Sequence, residues 1–593
     1  MSYLFIINIG PVQEFIASAR RSQDLWFGSW LLSDLSKAAA KAIVEIENNQ
    51  ESLIFPAPND PEDLNKDSSF DVANKIVAII KKEPKEVAAK VLNAVKERLQ
   101  EIKELAFRDI RSYINNDVTD KQIDDMLEFF WVAKALDKDY YQTRKDAEAL
   151  MAARKTTRNY NNVSWGSREY KSSLDGQRES VIATKICESD SEKRRKLRIS
   201  EGERLCGVGL LKRLGQDRKG ANFYSTSHVA SLPFISLFDG QVEPLIKNYT
   251  DKLIRLGVNK NDFRYDSSST VPKFDGHILY EERLSDYFDK SEKAKVDEAK
   301  EALKCFYDDF GKLLSVKKRP SPYYGLLLAD GDRMGEAIDN QKDPEAHQRL
   351  SKALSRFAEE VRKIVKEYNG CLVYAGGDDV LAFLPVNTIL KCARALADDF
   401  KERLKIFSTK DTSPTLSVGI AIVHHLDPLG ESLELVRKAE KMAKSVLDKN
   451  AIAITLSKRG GVDLTIKGKW NHLDTRLHQW IELHRNEQLP KGVAYELRDL
   501  VLSLGLDTQM PSKNDEQSNT MIINQVIRIL KRKRVSSGQA IDDQTITLIK
   551  EKLGDSKADE QRLSVKEVSD EIIVAGVFSD AIKLASAKKE GEK

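Results

Sequence analysis

The order of elements between Tyr324 and Leu456 limits what this chain can fold into more than any other feature of it. "GLLLAD" reads as a strand, "AHQRLSKALSRFAEEVRKIVKEY" as an amphipathic helix, and "CLVYA" and "VLAFLP" as the strands of a hairpin. "NTILKCARALADDFKERLK" follows as a helix, "TLSVGIAIVHH" as a strand, "SLELVRKAEKMAKSVLD" as a helix and "AIAITL" as a strand. The order β-α-β-β-α-β is the split βαβ, ferredoxin-like pattern. A right-handed crossover makes its first and second strands parallel, with the third antiparallel between them. The C-terminal end of "GLLLAD" must then reach the same sheet edge as the hairpin turn.

That turn is "GGDD". Gly376 and Gly377 permit a tight turn and let a phosphate or base approach the backbone, while Asp378 and Asp379 place two like charges between apolar strands. The same edge receives "ADGDRMG", so Asp330 and Asp332 are expected to converge on Asp378 and Asp379. Carboxylates gathered in this way repel one another and lose hydration unless cations meet them. Mg2+ or Mn2+, which prefer oxygen ligands, are the expected cofactors, held by Asp330, Asp332, Asp378 and Asp379. Two such ions roughly 3.5–4 Å apart activate a hydroxyl and neutralise a leaving pyrophosphate in an in-line displacement. Lys441 and Lys444, on the helix after the fourth strand, are candidates to meet a triphosphate, although singly each reads more readily as solvated helix face. GGDD alone is equally compatible with a plain turn; joined to "LLLADGDRMG" in this strand order, it points to chemistry.

The remainder is read more coarsely. "YLFIINIG" is a buried strand closed by Gly10-Pro11, and a helical stretch rich in Trp, Arg and Ser follows it. "SLIFPAP" is a second strand, and Asp71 to about Leu136 is read as helical. Residues from about Lys145 to Arg218 are polar and basic and are expected to form a surface insertion. "TSHVASLPFISLF" opens a mostly helical region, and the chain from about Lys467 is read as helical to a charged, frayed tail, "SAKKEGEK". The expected domains are 1–145, 146–220, 221–319, 320–465 and 466–593. With 95 basic against 92 acidic residues, the net charge of +3 assigns no partner, so any nucleic-acid role must come from local patches. Five scattered cysteines without a C-x-x-C pair fit a reducing cytoplasm. The opening lacks a basic leader and is expected to be a strand rather than a signal peptide. No apolar run approaches the ~18 residues of a membrane span, so no membrane partner is expected.

Several stretches together resemble the large subunit of type III CRISPR effector complexes, of the Cmr type (III-B), in the Cas-ten family of palm-domain proteins. They are "IGPVQEFIASARRSQDLWFGSWLLSDL", "ARKTTRNY", "LCGVGLLKR", "STSHVASLPF", "FDGHILYEERL", "PYYGLLLADGDRMG", "LVYAGGDDVLAFLPV" and "LSVGIAIVHHLDPL". The resemblance implies an α+β multidomain fold: two ferredoxin-like palm domains, related to nucleotidyl cyclases and packed face to face, plus helical domains. It implies ATP as substrate, bound at the palm pair. It also implies CRISPR RNA, target RNA and other Cmr-type subunits as partners, and target-RNA-activated joining of ATP into cyclic oligoadenylate messengers. Asp378, Asp379 and Asp330 carry over as catalytic metal ligands, and Asp332 less directly. No carboxylate pair matches in the N-terminal palm, which is expected to bind nucleotide without catalysis. Gln13, Arg20 and Trp26 are candidate nucleotide or domain contacts there, with core packing as the other reading of Trp26.

Two departures from the family accompany this. Relatives often begin with an HD nuclease domain; here a strand starts almost at once and none of the eight histidines precedes an aspartate, so DNA cleavage is not expected. Relatives often carry a C-x-x-C zinc site; here "KSSLDGQRE" puts Ser172 and Asp175 in its place, with Cys187 and Cys206 nearby, and no zinc is expected. The alternatives are transfer of AMP to another adenosyl ligand such as S-adenosylmethionine, or an idle scaffold anchoring the 5′ end of CRISPR RNA. "EKRRKLR" and "RILKRKR" could meet RNA phosphates or simply be solvated. His424 and His425 follow the fourth strand, expected near the active edge, as nucleotide contacts or as packing. His472, His478 and His484 share no helical face and are assigned nothing. Ser227 beside His228 in sequence does not make a nucleophile pair.

Overall fold

Two sheets carry the same strand order. In the computed structural model the described residues are 1–66, 68–157, 169–215, 224–238, 240–259, 274–314, 318–409, 413–505, 516–554 and 562–586. The motif "ARKTTRNY" leaves the described residues after Thr157; parts of the basic insertion and the tail 587–593 also lie outside them. The first sheet contains β1 (Tyr3–Gly10), β2 (Leu53–Phe55), β3 (Lys75–Ile80) and β4 (Glu128–Ala135) in the order β2-β3-β1-β4, all neighbours antiparallel. The second contains β5 (Tyr323–Asp332), β6 (Cys371–Gly376), β7 (Asp379–Leu384), β8 (Thr415–His424), β9 (Ala451–Leu456) and β10 (Leu464–Lys469). Its order is β10-β9-β8-β5-β7-β6. Within it, β6-β7-β5-β8 repeats β2-β3-β1-β4 position for position, so both halves are split βαβ units. β7 lies antiparallel between β5 and β6, as the crossover rule requires.

Three strands lie where the sequence reads as helical. β3 and β4 fall between Asp71 and Leu136, and β10 runs past the expected start of the helical remainder. "KIVAII" and "LTIKGK" are too short for periodicity to separate strand from helix, and "EFFWVAKA" is half-buried at every position, so it shows no alternation. The strands form because β1 and β9 offer them unpaired edges.

The insertion also differs from the expected surface loop. Gly207–Leu214 is a wholly buried helix packed against Ser22–Glu47. A Cβ on Gly207 would lie 3.0 Å from the Thr119 backbone, so glycine permits this approach. Arg213, with no exposed surface, donates to both carboxylate oxygens of Asp24 at 2.7 and 2.9 Å and to Glu203 at 3.0 Å. A charge can be this deep because each of its neighbours is an acceptor.

The two palms meet along β2 and the helix Pro344–Glu367. Ala57 N donates to Ser351 Oγ at 2.8 Å, Gln348 donates to Leu53 O at 2.8 Å, and Tyr140 Oη lies 2.8 Å from His347 Nδ1. Arg144 pairs with Asp339 at 2.5 Å and Arg362 with Asp71 at 2.7 Å across the same seam. At the other end of the chain, the buried helix Val565–Ser586 returns onto Leu473–Arg485, where Glu571 accepts from Arg476 and Trp480.

Candidate active site at the GGDD hairpin

β6 and β7 are joined by two residues, with Gly376 paired to Asp379. Gly377 has φ +68° and Asp378 does not have positive φ, which matches a type II′ hairpin with glycine at its first central position. The turn therefore lifts the Asp378 side chain at the tip and leaves Asp379 as the first residue of β7. The last registered pair between β5 and β7 is Ala329–Val380, so one further step sets Asp330 opposite Asp379. A Cβ on Gly331 would come within 2.7 Å of Asp378 Cβ and 2.8 Å of its Oδ2, so the Asp378 carboxylate lies over the end of β5. Asp330, Asp378 and Asp379 thus converge as the strand order predicts.

The charges respond to this crowding. Burial and the neighbouring Asp330 push the Asp378 carboxyl up to about 6. Burial, Asp378 and Asp330 push Asp379 up to about 8, although Asp379 is open to the cleft and solvent screens part of that rise. The helix Leu429–Lys444 runs back from the far end of β8 and brings its last turn to this edge. There Lys444 Nζ pairs with Asp330 and lies 3.5 Å from Glu440. Glu440 is buried, and burial followed by Asp330 raises its carboxyl. Sequence reading missed this residue; its spacing from Lys444 on one helix face was the available signal.

Other expected residues are placed differently. Asp332 is fully buried, and its Oδ2 accepts from Thr415 Oγ1 at 2.9 Å, Ser417 Oγ at 2.8 Å and Asn450 N at 3.0 Å. It ties β5 to β8 and to the loop before β9, while its buried Oδ1 has no hydrogen-bond partner. Lys441 is exposed, one step around the helix from Glu440. His424 and His425 are not near the active edge. β8 is antiparallel to β5, so His424 pairs with Tyr323 at the opposite end of the sheet. There His425 Nδ1 lies 2.9 Å from Ser227 Oγ, and His228 instead accepts from Gly276 N.

A cleft of about 230 Å³ walled by both palms reaches the hairpin, where Asp379 alone of the three carboxylates lines it. The first palm contributes Gln13, Trp26, Trp30 and Asn74, and the second Tyr374, Gly376, Asp379 and Arg437. Trp26 and Trp30 stack at 6.3 Å, and Phe55 of β2 approaches the hairpin tip within 3.7 Å of where a Gly377 Cβ would be. Nothing lies within 4 Å of the Cβ position on Gly376, so the turn is open to a ligand. Arg20 is exposed and does not line the cleft.

As the side chains stand, no three described His, Cys, Asp or Glu residues are spaced to hold a metal ion, and Asp330 is paired with Lys444. The donor set nonetheless fits a hard divalent cation: all oxygen, mutually repelling, with the orphaned Asp332 Oδ1 on the same strand. In the insertion, Asp175 Oδ2 lies 3.8 Å from Cys206 Sγ, which accepts from Gly209 N at 3.3 Å. Several residues of the basic runs pair with carboxylates, Arg194 in the interior and the others at or near the surface. Lys193 pairs with Asp190, Arg194 with Asp289, Lys196 with Glu192, and Arg532 and Lys533 with Glu496.

Comparisons with known proteins agree with this architecture. Residues 323–453 match the Cas10/Cmr2 second palm domain, and residues 4–104 match the N-terminal domain of CRISPR-associated protein Cmr2. The CRISPR system Cmr subunit Cmr2 of Pyrococcus furiosus is 26% identical over 77% of this chain, which spans 62% of that relative's length. Type III-B Cmr-beta, solved in its apo state and bound to cognate target RNA, shares the fold, with a TM-score of 0.62 and 14% identity in each case. The alignments cover 98% of this chain and 82% and 83% of those chains. The chain thus contains a stretch matching the Cas10/Cmr2 second palm domain, with the GGDD edge inside it, and one matching the Cmr2 N-terminal domain.

Proposed function

We propose that this chain is the large subunit of a CRISPR RNA-guided type III-B complex and that its GGDD palm joins ATP molecules 3′–5′ into cyclic oligoadenylates. The complex would act when a target RNA pairs with the guide, so CRISPR RNA, target RNA and Cmr-type subunits are the partners. The observation that carries this reading is the convergence of Asp330 and Asp378 on Asp379, which opens into a cleft walled by both palms. The Trp26–Trp30 pair offers an apolar face for a base, and Gln13 and Asn74 offer amide groups beside it. The open turn at Gly376 admits phosphate against the backbone. Asp330, Asp378 and Asp379 would hold Mg2+ or Mn2+, which when bound activates a ribose hydroxyl and neutralises the leaving pyrophosphate. Lys444 supplies the counter-charge to Asp330 until then.

The test is the assembled complex incubated with ATP, Mg2+ and matched or mismatched RNA, followed by mass analysis of the products. Cyclic oligoadenylate with matched RNA alone, falling to background in the Asp378→Ala/Asp379→Ala variant, is the expected result. Undiminished ATP conversion by the double variant overturns the assignment.

A further inference from the structure

The cleft contains a positive charge that nothing in the fold uses. Arg437 lines it from the helix Leu429–Lys444, half-buried and two turns before Lys444 on the same face. Among the described residues it makes no hydrogen bond or ion pair. Arg362, the other cation lining the cleft, holds Asp71 at 2.7 Å, and Lys444 at its edge holds Asp330. Tyr374, from β6, lines the same cleft as Arg437 and Asp379 and lies within electrostatic reach of both. A guanidinium drawn partly out of water without an acceptor is unfavourable, and a planar fork of donors matches phosphate oxygens better than a point charge does.

We infer that Arg437 is the residue that binds the phosphate chain of the nucleotide in the cleft and so separates nucleoside triphosphates from nucleosides. This rests on the proposed use of ATP. Arg437 and Lys444 stand ~11 Å apart along the helix, at the ~1.5 Å rise per residue, and bracket the acidic edge from the same side. The base would face Trp26 and Trp30 while the phosphates lie between Arg437 and the Gly376 turn. The sequence signal was present in "RKAEKMAK", whose first and last residues share a helix face with Glu440.

The test compares ATP, ADP and adenosine binding to the full chain, in EDTA and in Mg2+, for the wild type, Arg437→Gln and Arg437→Lys. Trp26 and Trp30 provide a fluorescence readout inside the cleft, calorimetry a second one, and melting curves check folding. Arg437→Gln is expected to weaken ATP about 10- to 100-fold and leave adenosine unchanged, with Arg437→Lys intermediate. Equal loss for ATP and adenosine, or no loss for ATP, overturns the role of Arg437 while leaving the cleft a nucleotide site. Failure of the wild type to bind any of the three overturns the proposed function, and this inference with it.

Discussion

At the scale of single residues, the site and the structural core handle charge in opposite ways. Arg213, Asp24 and Glu203 are buried and matched. Arg213, after losing hydration, is held charged by the two carboxylates, and its Asp24 partner stays below the ordinary carboxylate range. Removing Asp24 strips the buried Arg213 of two of its acceptors and leaves it with Glu203, so Asp24→Ala is expected to cost about 3–5 kcal/mol in denaturant titration. Asp378 and Asp379 are buried or crowded and unmatched. Asp379→Asn is therefore expected to raise the melting temperature of the metal-free protein while abolishing catalysis. Mg2+ or Mn2+ should reverse the ranking by stabilising only the wild type, by about 2.7 kcal/mol at a hundred times its dissociation constant. A melting temperature indifferent to divalent ions in both forms would sink the carboxylate assignment.

At the scale of elements, the helix Leu429–Lys444 is the part on which the site's geometry depends. It lies so close to β8 that a Cβ on Gly419 would be 2.2 Å from Glu440 N and 2.6 Å from its Cα. Both are backbone atoms with nowhere to move except away from the sheet. Gly419→Ala should cost about 1–3 kcal/mol or more and carry Lys444 and Arg437 off the edge, so catalysis falls with stability. Gly430→Ala, on the same helix with nothing within 4 Å, should leave both intact. This packing also marks how far the sequence could be read. β5 to β9 were legible because helices of clear period, and between β6 and β7 a glycine-led turn, separate them, and the split βαβ rule then placed Asp330 beside the hairpin. β3, β4 and β10 were not, because a six-residue apolar run or a half-buried edge strand lacks a period of its own. Glu440 and Arg437 were missed because a helix face becomes a site wall only once its neighbour is known. His424 was misplaced because the direction of the fourth strand was not followed through: antiparallel pairing sends its end away from the site.

At the scale of the whole molecule, the joints between units contain neutral histidines. His347 touches Tyr140 at the palm–palm seam, His425 bonds Ser227 where the helix Thr226–Ile235 meets the second sheet, and His228 accepts from Gly276 in that same helical region. Burial pushes His347 and His228 down to about 4 and His425 down to about 2; positive Arg144 and Lys75 add to the fall at His347, and Asp275 opposes it at His228. Between the ordinary value of 6.5 and these lowered ones, the unfolded chain binds protons that the folded chain refuses. Stability from these residues is therefore complete above pH 6.5 and is lost as pH falls toward 4, by about 2 kcal/mol for each histidine at pH 5. Asp378 and Asp379 act with the opposite sign in the same window: their raised values make the metal-free fold bind more protons than the unfolded chain. The measurement therefore belongs in the Asp378→Asn/Asp379→Asn background, where that contribution is removed. There, denaturant titrations at pH 7.5 and pH 5 should differ by several kcal/mol, and adding His347→Gln should shrink the difference by about 2 kcal/mol. A gap unchanged by His347→Gln would mean that the seam admits a protonated imidazole. Acid would then loosen the protein somewhere other than between its palms.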